Sequence, residues 1–222
     1  MKRQEAPGRL EVVRSFVNTL DLERGVDEID TVQGLAGWIG ARFSAEFPGV
    51  PPRPDALPSP DGSPRPGELP RPGVPPALTE ADRRAAVELR QALRDTIAGA
   101  GSAAAFGPPA HAPEGLDRLN RVAARLPVHL RFADAATPQF VSECGGIDAV
   151  LAGLLGVVAV AALDGTWGRL KMCPAEDCRW VFYDHARNRT GVWCQMAECG
   201  NRRKVREHRS RQRAAATGLA RP

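Results

Sequence analysis

Hydrophobic residues recur at helical spacing near the start of the chain. Residues 9–20, RLEVVRSFVNTL, carry apolar side chains three or four positions apart, which predicts a first helix. A second helix is predicted to follow Asp30 or Thr31, because either side chain can cap a first turn. Five apolar residues then form one face of that helix: Val32, Leu35, Trp38, Ile39 and Phe43.

The same periodicity predicts two further helices in the middle of the chain. Thr79 starts a long one, with Asp82 three positions on in the arrangement of a capping box. A shorter one is predicted over residues 114–126, where Pro127 ends it. The arginines of the long helix are interpreted as a mostly solvated face: Arg83, Arg84, Arg90 and Arg94.

Two short segments and one long apolar stretch follow. Residues 128–132 (VHLRF) and 138–143 (PQFVSE) have the composition of strands and predict a hairpin. The stretch from Gly145 to Leu163 is about as long as a membrane span, but it carries Asp148 and is mostly Ala, Gly and Val. We therefore predict a buried core helix over 147–163 and no membrane span.

Residues 48–77 interrupt the pattern. Twelve of these thirty residues are proline, four are glycine and none is aromatic, so the segment cannot bury a core. We interpret it as an extended or disordered surface insertion, with a proline-motif ligand for a partner protein as the alternative. Residues 1–165 are thus predicted to form a mainly α domain with one small β-hairpin and this insertion.

Charge is distributed unevenly along the chain. The net charge is +4, but residues 168–213 contain 12 Lys/Arg and 5 Asp/Glu, whereas the remaining residues contain 18 and 21. A mildly acidic body therefore carries a strongly basic C-terminal module, which indicates an anionic partner, with nucleic acid first. The start, MKRQEAPGRLEVVRSF, has no apolar run after its basic residues, so we expect a cytoplasmic protein. Abundant alanine, arginine, glycine and proline indicate a bacterial sequence.

The first 165 residues contain none of the patterns that mark common catalytic sites. There is no glycine-rich phosphate loop of the usual spacing, no nucleophile elbow and no His-x-x-x-His pair. His111 lies in a predicted loop and His129 in a predicted strand, where a single histidine is more often structural or solvated. We therefore expect that the protein is not an enzyme.

Four of the five cysteines form the pattern C-x4-C-x15-C-x4-C, and the fifth, Cys144, stands apart. Two close pairs joined by a short spacer supply the four thiolates of a tetrahedral zinc site. In a reducing cytoplasm such a set favours a metal over disulfides or free thiols, and an iron–sulfur cluster is a further alternative. The predicted Zn²⁺ ligands are Cys173, Cys178, Cys194 and Cys199.

The spacer between the cysteine pairs predicts the fold of this module. Trp180–Tyr183 has the composition of a strand, residues 184–189 (DHARNR) form a polar turn, and Thr190–Trp193 can return as a second strand. Cys199 lies at or just before the start of a helix. This order of knuckle, β-hairpin, knuckle and basic helix is treble-clef-like, and in residues 168–213 the metal would hold the fold.

A basic helix is predicted from Asn201 to Ala216. Val205 is its only strongly apolar residue, so the helix buries almost nothing and its charges repel one another. A solvated tail is the simplest explanation of such a charge run, but its position after a zinc module favours binding to phosphate. The polar turn adds two arginines for a second phosphate contact. The candidate nucleic-acid contacts are Arg187, Arg189, Arg202, Arg203, Lys204, Arg206, Arg209 and Arg213.

The segment from Arg169 to Arg213 resembles the CGNR zinc finger, which is named after the sequence Cys-Gly-Asn-Arg, here at residues 199–202. Three further parts of the family pattern are present. They are an aromatic strand followed by aspartate (Phe182, Tyr183, Asp184), a basic turn (Arg187, Asn188, Arg189) and Trp-Cys-x-Met (Trp193, Cys194, Met196).

The N-terminal part resembles the ABATE domain, which usually precedes this finger in bacterial stress-induced transcription regulators. The likeness is carried by Phe16–Leu20 (FVNTL), by Trp38 and by the helix around Glu88–Arg94. Together the resemblances imply a zinc-containing, DNA-binding transcription regulator whose helical domain senses a signal or dimerises. A small-molecule ligand of that domain and a homodimer are further partners consistent with this interpretation.

An RNA-binding or ribosome-associated zinc protein is the alternative function. In that case Trp180, Phe182 and Trp193 would stack on bases, although these side chains also fit the small core of a finger. A metalloenzyme is disfavoured, because four thiolates complete the coordination of zinc and leave no position for water.

Overall fold

The structure is a computed structural model that describes residues 5–46, 78–102, 112–132 and 138–216. The predicted insertion at 48–77 lies outside the described residues. The helices of the described part are α1 (Leu10–Val17), α2 (Val32–Glu46), α3 (Glu80–Ser102), α4 (Ala112–Ala123), α5 (Gly146–Leu163) and α6 (Asn201–Ala216). Its strands pair antiparallel into three hairpins: β1 (Leu20–Asp21) with β2 (Val26–Asp27), β3 (His129–Phe132) with β4 (Pro138–Val141), and β5 (Leu170–Met172) with β6 (Val181–Tyr183).

The predicted helices and the mainly α fold class are confirmed. Thr79 caps α3 as the sequence indicates, because its backbone amide and its hydroxyl donate to Asp82 Oδ2 at 2.6 and 2.7 Å. The first helix is shorter than predicted. It ends at Val17, and Leu20 belongs instead to β1, a two-residue strand that carries no visible period in the sequence.

The main hydrophobic core lies between α1, α3 and α5. Phe16 on α1, Leu89 and Leu93 on α3, and Leu154 on α5 are all 0% exposed. The ring of Phe16 also lies against Trp38 of α2, with ring centroids 5.1 Å apart. Burying one such side chain contributes roughly 1.5–3 kcal/mol, so apolar packing stabilises the helical part of the molecule.

The predicted core helix at 147–163 is confirmed as α5. Among the described residues it is the one helix whose length and composition would let it cross a membrane, and 44% of that window is buried inside the fold. It packs against α1, α3 and β4. Gly156 lets β4 approach closely, because a Cβ there would lie 3.0 Å from the Cβ of Phe140.

The prediction of a solvated arginine face on α3 is wrong for Arg90 and Arg94, which are each 4% exposed. Arg90 forms a bidentate ion pair with Asp27 of β2, at 2.5 and 2.7 Å. Arg94 donates to the carbonyls of Val17 and Arg179, at 2.7 and 3.0 Å. Burial lowers the pKa of Arg94 to about 10. The two side chains tie α3 to the β1–β2 hairpin and to the C-terminal module.

The C-terminal module packs on the helical part through its own hairpin. Leu170 of β5 and Val181 of β6 belong to the same buried core as α1 and α3. The side-chain amide of Asn18, just after α1, donates to the Val181 carbonyl (2.7 Å) and accepts from the Val181 amide (2.9 Å). The Asn18 side chain thus pairs with both backbone polar groups of Val181, as a neighbouring strand would. The division into domains at 1–165 and 168–213 stays a prediction.

Candidate metal centre and basic surface

The four predicted cysteines come together in the C-terminal module. Cys173, Cys178, Cys194 and Cys199 are buried, and their sulfur atoms all lie within 4.8 Å of one another. The sulfur of Cys194 is 3.6 Å from those of Cys178 and Cys199. A regular tetrahedron with metal–sulfur bonds of about 2.3 Å has sulfur–sulfur edges of about 3.8 Å. The cluster therefore fits a Zn²⁺ ion with four thiolate ligands.

Backbone hydrogen bonds shape the first pair of cysteines into a tight turn. The Cys173 amide donates to the Trp180 carbonyl, and the Cys178 amide donates to the Ala175 carbonyl, both at 2.9 Å. Arg179 has a left-handed backbone with φ of 51°, which turns the chain back into β6. Because β5 precedes this turn and β6 follows it, the hairpin encloses the first cysteine pair.

The strand predicted after the first cysteine pair is confirmed as β6, but its predicted partner is wrong. Residues 190–193 form no strand, and β6 pairs instead with β5, where Met172 faces Val181. The Gly191 amide donates to the carboxylate of Asp184 at 2.9 Å. This backbone N–H is therefore not available for hydrogen bonding to a neighbouring strand.

The second pair of cysteines lies at the entry to the basic helix. A π-helical turn, Met196–Gly200, contains Cys199 and leads directly into α6. A Cβ on Gly200 would overlap Sδ of Met196 and lie 3.3 Å from Cδ1 of Trp193. The glycine of the Cys-Gly-Asn-Arg sequence therefore lies in close contact with Trp193 and Met196 at the start of α6, and a side chain there would displace the exposed Met196.

Electrostatics also favours a cation at this cluster. Hydrogen bonds from the thiols of Cys178 and Cys194 lower the pKa of Cys173 to about 4, because they stabilise its thiolate. The same hydrogen bonds, together with the charge on Cys173, raise the pKa of Cys178 and of Cys194. Four thiolates at this distance repel one another, and a bound Zn²⁺ offsets that repulsion and keeps all four deprotonated.

Aromatic side chains form the small core around the cysteines. Phe182 is 3% exposed, and the half-buried Trp180 and Trp193 pack against the same cluster. This packing limits access of water to the thiolates. It also gives the three aromatic residues a structural role, so the alternative in which they stack on RNA bases gains no support from their placement.

The turn that carries Arg187 and Arg189 is built around Asp184, which is 3% exposed. Lys171 of β5 donates to Asp184 Oδ2 at 2.7 Å, and two backbone amides of the turn donate to the same carboxylate at 3.0 and 2.9 Å. Burial alone would raise the pKa of Asp184, but these donors lower it below its usual value. The buried ion pair thus fixes the turn, while both arginines are exposed to solvent.

The helix α6 leaves the metal cluster with seven Lys/Arg and one Glu in its 16 residues. Val205, its only strongly apolar residue, is 48% exposed. The structure therefore confirms a helix that buries little of its own surface. On α6, the predicted contacts that are exposed are Arg203, Lys204, Arg206, Arg209 and Arg213.

Two of the predicted nucleic-acid contacts lie against carboxylates at the start of α6. Arg202 donates to Sγ of Cys199 at 3.1 Å and to Oε1 of Glu23 at 2.9 Å, and it lies 3.6 Å from Oδ2 of Asp177. Arg206 forms an ion pair with the same Asp177 at 3.1 Å. The hydrogen bond to Cys199 raises the pKa of Arg202 above its usual value. The basic residues of α6 look alike in the sequence, but the structure places Arg202 against a cysteine sulfur as well as two carboxylates.

The fold and the site define a class of protein, in which a helical domain is joined to a four-cysteine zinc finger with a basic last helix. Residues 169–212 match the CGNR zinc finger, and residues 10–165 match the ABATE model, described as "Putative stress-induced transcription regulator". The ABATE match spans more than half of the chain, so the protein belongs to the ABATE family. It is thus a zinc-binding member of a regulator-like family. No curated protein matches the chain.

Proposed function

We propose that this protein is a DNA-binding, stress-responsive transcription regulator. In this proposal α6 and the turn with Arg187 and Arg189 bind the phosphates of duplex DNA. The observation that carries the proposal is the exposed basic helix, which is fixed at its first turn to the four-cysteine cluster. Membership of the ABATE family supports the regulatory role.

Apolar packing does not account for α6, because its only strongly apolar residue, Val205, is 48% exposed. Like charges three or four residues apart destabilise an isolated helix, and a helix that is polar all round needs stabilisation from outside. Duplex DNA carries one negative charge per about 1.7 Å of its axis, and cations that neutralise phosphates release bound counterions. At about 1.5 Å per residue α6 is about 24 Å long, which is enough to follow a stretch of the major groove.

The zinc ion has a structural role in this proposal. Four thiolate ligands complete a tetrahedral shell, whereas a catalytic zinc keeps one position for water or substrate. We therefore propose that the protein is not an enzyme. Cobalt substitution tests this point, since a four-thiolate site and a site with three protein ligands and water give different absorption spectra.

The helical domain would supply the regulatory input by binding a signal molecule, by dimerising or by both. Its connection to the finger supports such a role. Arg94 on α3 and Asn18 after α1 both hydrogen-bond to the backbone of the finger, at Arg179 and Val181. A change in the packing of α1 against α3 would therefore reach the module that carries α6.

The proposal is tested by titrating zinc-loaded protein against a labelled random-sequence duplex, with fluorescence anisotropy as the readout at several salt concentrations. We expect affinity that falls steeply with salt, with a slope of about −0.9 per phosphate contact. Absence of binding at low salt would contradict the proposal. Single-stranded RNA as a competitor separates the alternative, because an RNA-binding protein would be displaced by RNA at far lower concentration than by duplex DNA.

A further inference from the structure

Arg202 contacts three different parts of the molecule with one guanidinium group. Its Nη2 lies 3.1 Å from Sγ of Cys199 in the metal cluster and 2.9 Å from Oε1 of Glu23. Its Nη1 lies 3.6 Å from Oδ2 of Asp177, which belongs to the turn between the first two cysteines. Glu23 lies between β1 and β2, so this acceptor comes from the helical part of the chain.

The chemistry of the guanidinium suits this set of acceptors. Arginine has five N–H donors in a rigid planar group, and it can donate hydrogen bonds to a thiolate and two carboxylates at once. Hydrogen bonds to a metal-bound thiolate orient the ligand and tune the metal site. If Arg202 turned away towards a phosphate, Cys199 would lose this donor and Glu23 would lose its ion pair, so binding of a phosphate by Arg202 carries a cost.

We propose that Arg202 is a positioning residue of the finger and not a phosphate contact. It holds the Cys199 thiolate and Glu23 together and so sets the direction in which α6 leaves the helical part of the molecule. The consequence for DNA binding rests on the proposed function, whereas the contacts themselves do not. Phosphate binding is then left to cations farther along α6, such as Lys204 and Arg209, and to the turn around Asp184.

The first arm of the test measures the metal site in the full-length chain. Arg202→Ala and Arg202→Lys are compared with Lys204→Ala, which removes an exposed cation two positions farther along the same helix. We expect both Arg202 variants to bind Co²⁺ about 10- to 100-fold more weakly and to shift the thiolate-to-cobalt charge-transfer band. Lys204→Ala should keep the wild-type affinity and spectrum.

The second arm measures the salt dependence of duplex DNA binding for the same proteins. Lys204→Ala should reduce the slope by about 0.9, as expected for one lost phosphate contact, whereas Arg202→Ala should weaken binding with an unchanged slope. The proposal is overturned if Arg202→Ala has the wild-type cobalt spectrum and Co²⁺ affinity and loses as much slope as Lys204→Ala.

The Arg202→Lys variant and the cobalt measurement still decide the role of Arg202 if another part of the experiment fails. If Arg202→Ala does not fold, Arg202→Lys decides alone, because lysine keeps the charge needed for a phosphate contact but loses the planar group. Wild-type Co²⁺ affinity and wild-type DNA affinity in Arg202→Lys would contradict a positioning role. If the wild-type protein binds no DNA, the proposed function fails, and the cobalt arm still decides the role of Arg202.

Discussion

The helical part and the zinc finger are stabilised by different interactions. In the helical part, apolar side chains such as Phe16 and Leu89 are completely buried between α1, α3 and α5. In the finger, the buried residues around the metal site are the four cysteines and Phe182. A segment of this size cannot bury enough apolar surface to fold by itself, so metal binding supplies much of its folding free energy.

The two regions meet at the β5–β6 hairpin, which has a different neighbour on each side. Val181 lies in the core of the helical part, whereas the neighbouring Phe182 packs against the cysteines. The strand alternation thus places one residue in each core. The finger is therefore held by zinc on one face and by the helical core on the other, and each attachment can be tested separately.

Loss of a zinc ligand should have the largest effect. We expect Cys173→Ser or Cys199→Ser to release the metal and unfold residues 168–213, because structural zinc contributes roughly 10 kcal/mol or more in small fingers. The helices of the apolar core should persist. Metal analysis and far-ultraviolet circular dichroism check this, with Cys144→Ser as the control, since Cys144 lies outside the cluster. Unchanged zinc content in both ligand variants would refute the ligand assignment.

Truncation in the helical core should come next. We expect Leu89→Ala to lower the free energy of unfolding by about 2–5 kcal/mol, because Leu89 is 0% exposed and its loss leaves a cavity. Zinc content should not change. Leu116→Ala on α4 is the matched control, since Leu116 is 51% exposed and should cost less than about 0.5 kcal/mol. Equal denaturant midpoints for the two variants would contradict the assigned core.

The junction between the regions should have an intermediate effect. Asn18→Ala leaves the buried amide and carbonyl of Val181 without their side-chain partner, which we expect to cost about 1–3 kcal/mol. Hydrogen exchange should become faster in β6 in particular. Asn120→Ala on the exposed surface of α4 is the control. If the two variants exchange at the same rate in β6, Asn18 does not hold the finger in place.

The smallest predicted effect concerns the capping box of α3. Thr79→Ala should lower the free energy of unfolding by about 1 kcal/mol, because it removes the hydroxyl that pairs with Asp82 at the start of the helix. Thr79→Ser keeps the hydroxyl and should remain close to wild type. Thermal unfolding measures the difference, and identical midpoints for the alanine and serine variants would show that the cap contributes nothing.

The sequence predicts the features that depend on local residue types. The spacing of four cysteines between Cys173 and Cys199 is enough to place the zinc site, because each close pair makes its own turn. Hydrophobic periodicity is enough to place α3, because a helical face repeats every three or four residues, and a long apolar stretch is enough to place α5. The match of Thr79 and Asp82 to a capping box is confirmed for the same local reason.

Features that depend on distant partners could not be predicted in this way. Arg90 is buried because Asp27, 63 positions earlier, pairs with it. The β5 strand has only three residues, too few to show the alternation of a strand, so the sequence did not mark it as the partner of β6. In the sequence Arg202 cannot be distinguished from its basic neighbours, because its partner Glu23 is distant along the chain and meets it only in the fold. Tertiary contacts decide all three cases.

The most direct test of the central claim is the salt dependence of duplex DNA binding in two charge-matched variants. One carries Lys204→Ala and Arg209→Ala on α6, and the other carries Arg84→Ala and Arg121→Ala on exposed positions of the helical part. We predict that the slope of log affinity against log salt falls by about 1.8 in the first variant and stays at the wild-type value in the second. Equal slopes in both variants would contradict the assignment of α6 as the phosphate-binding element.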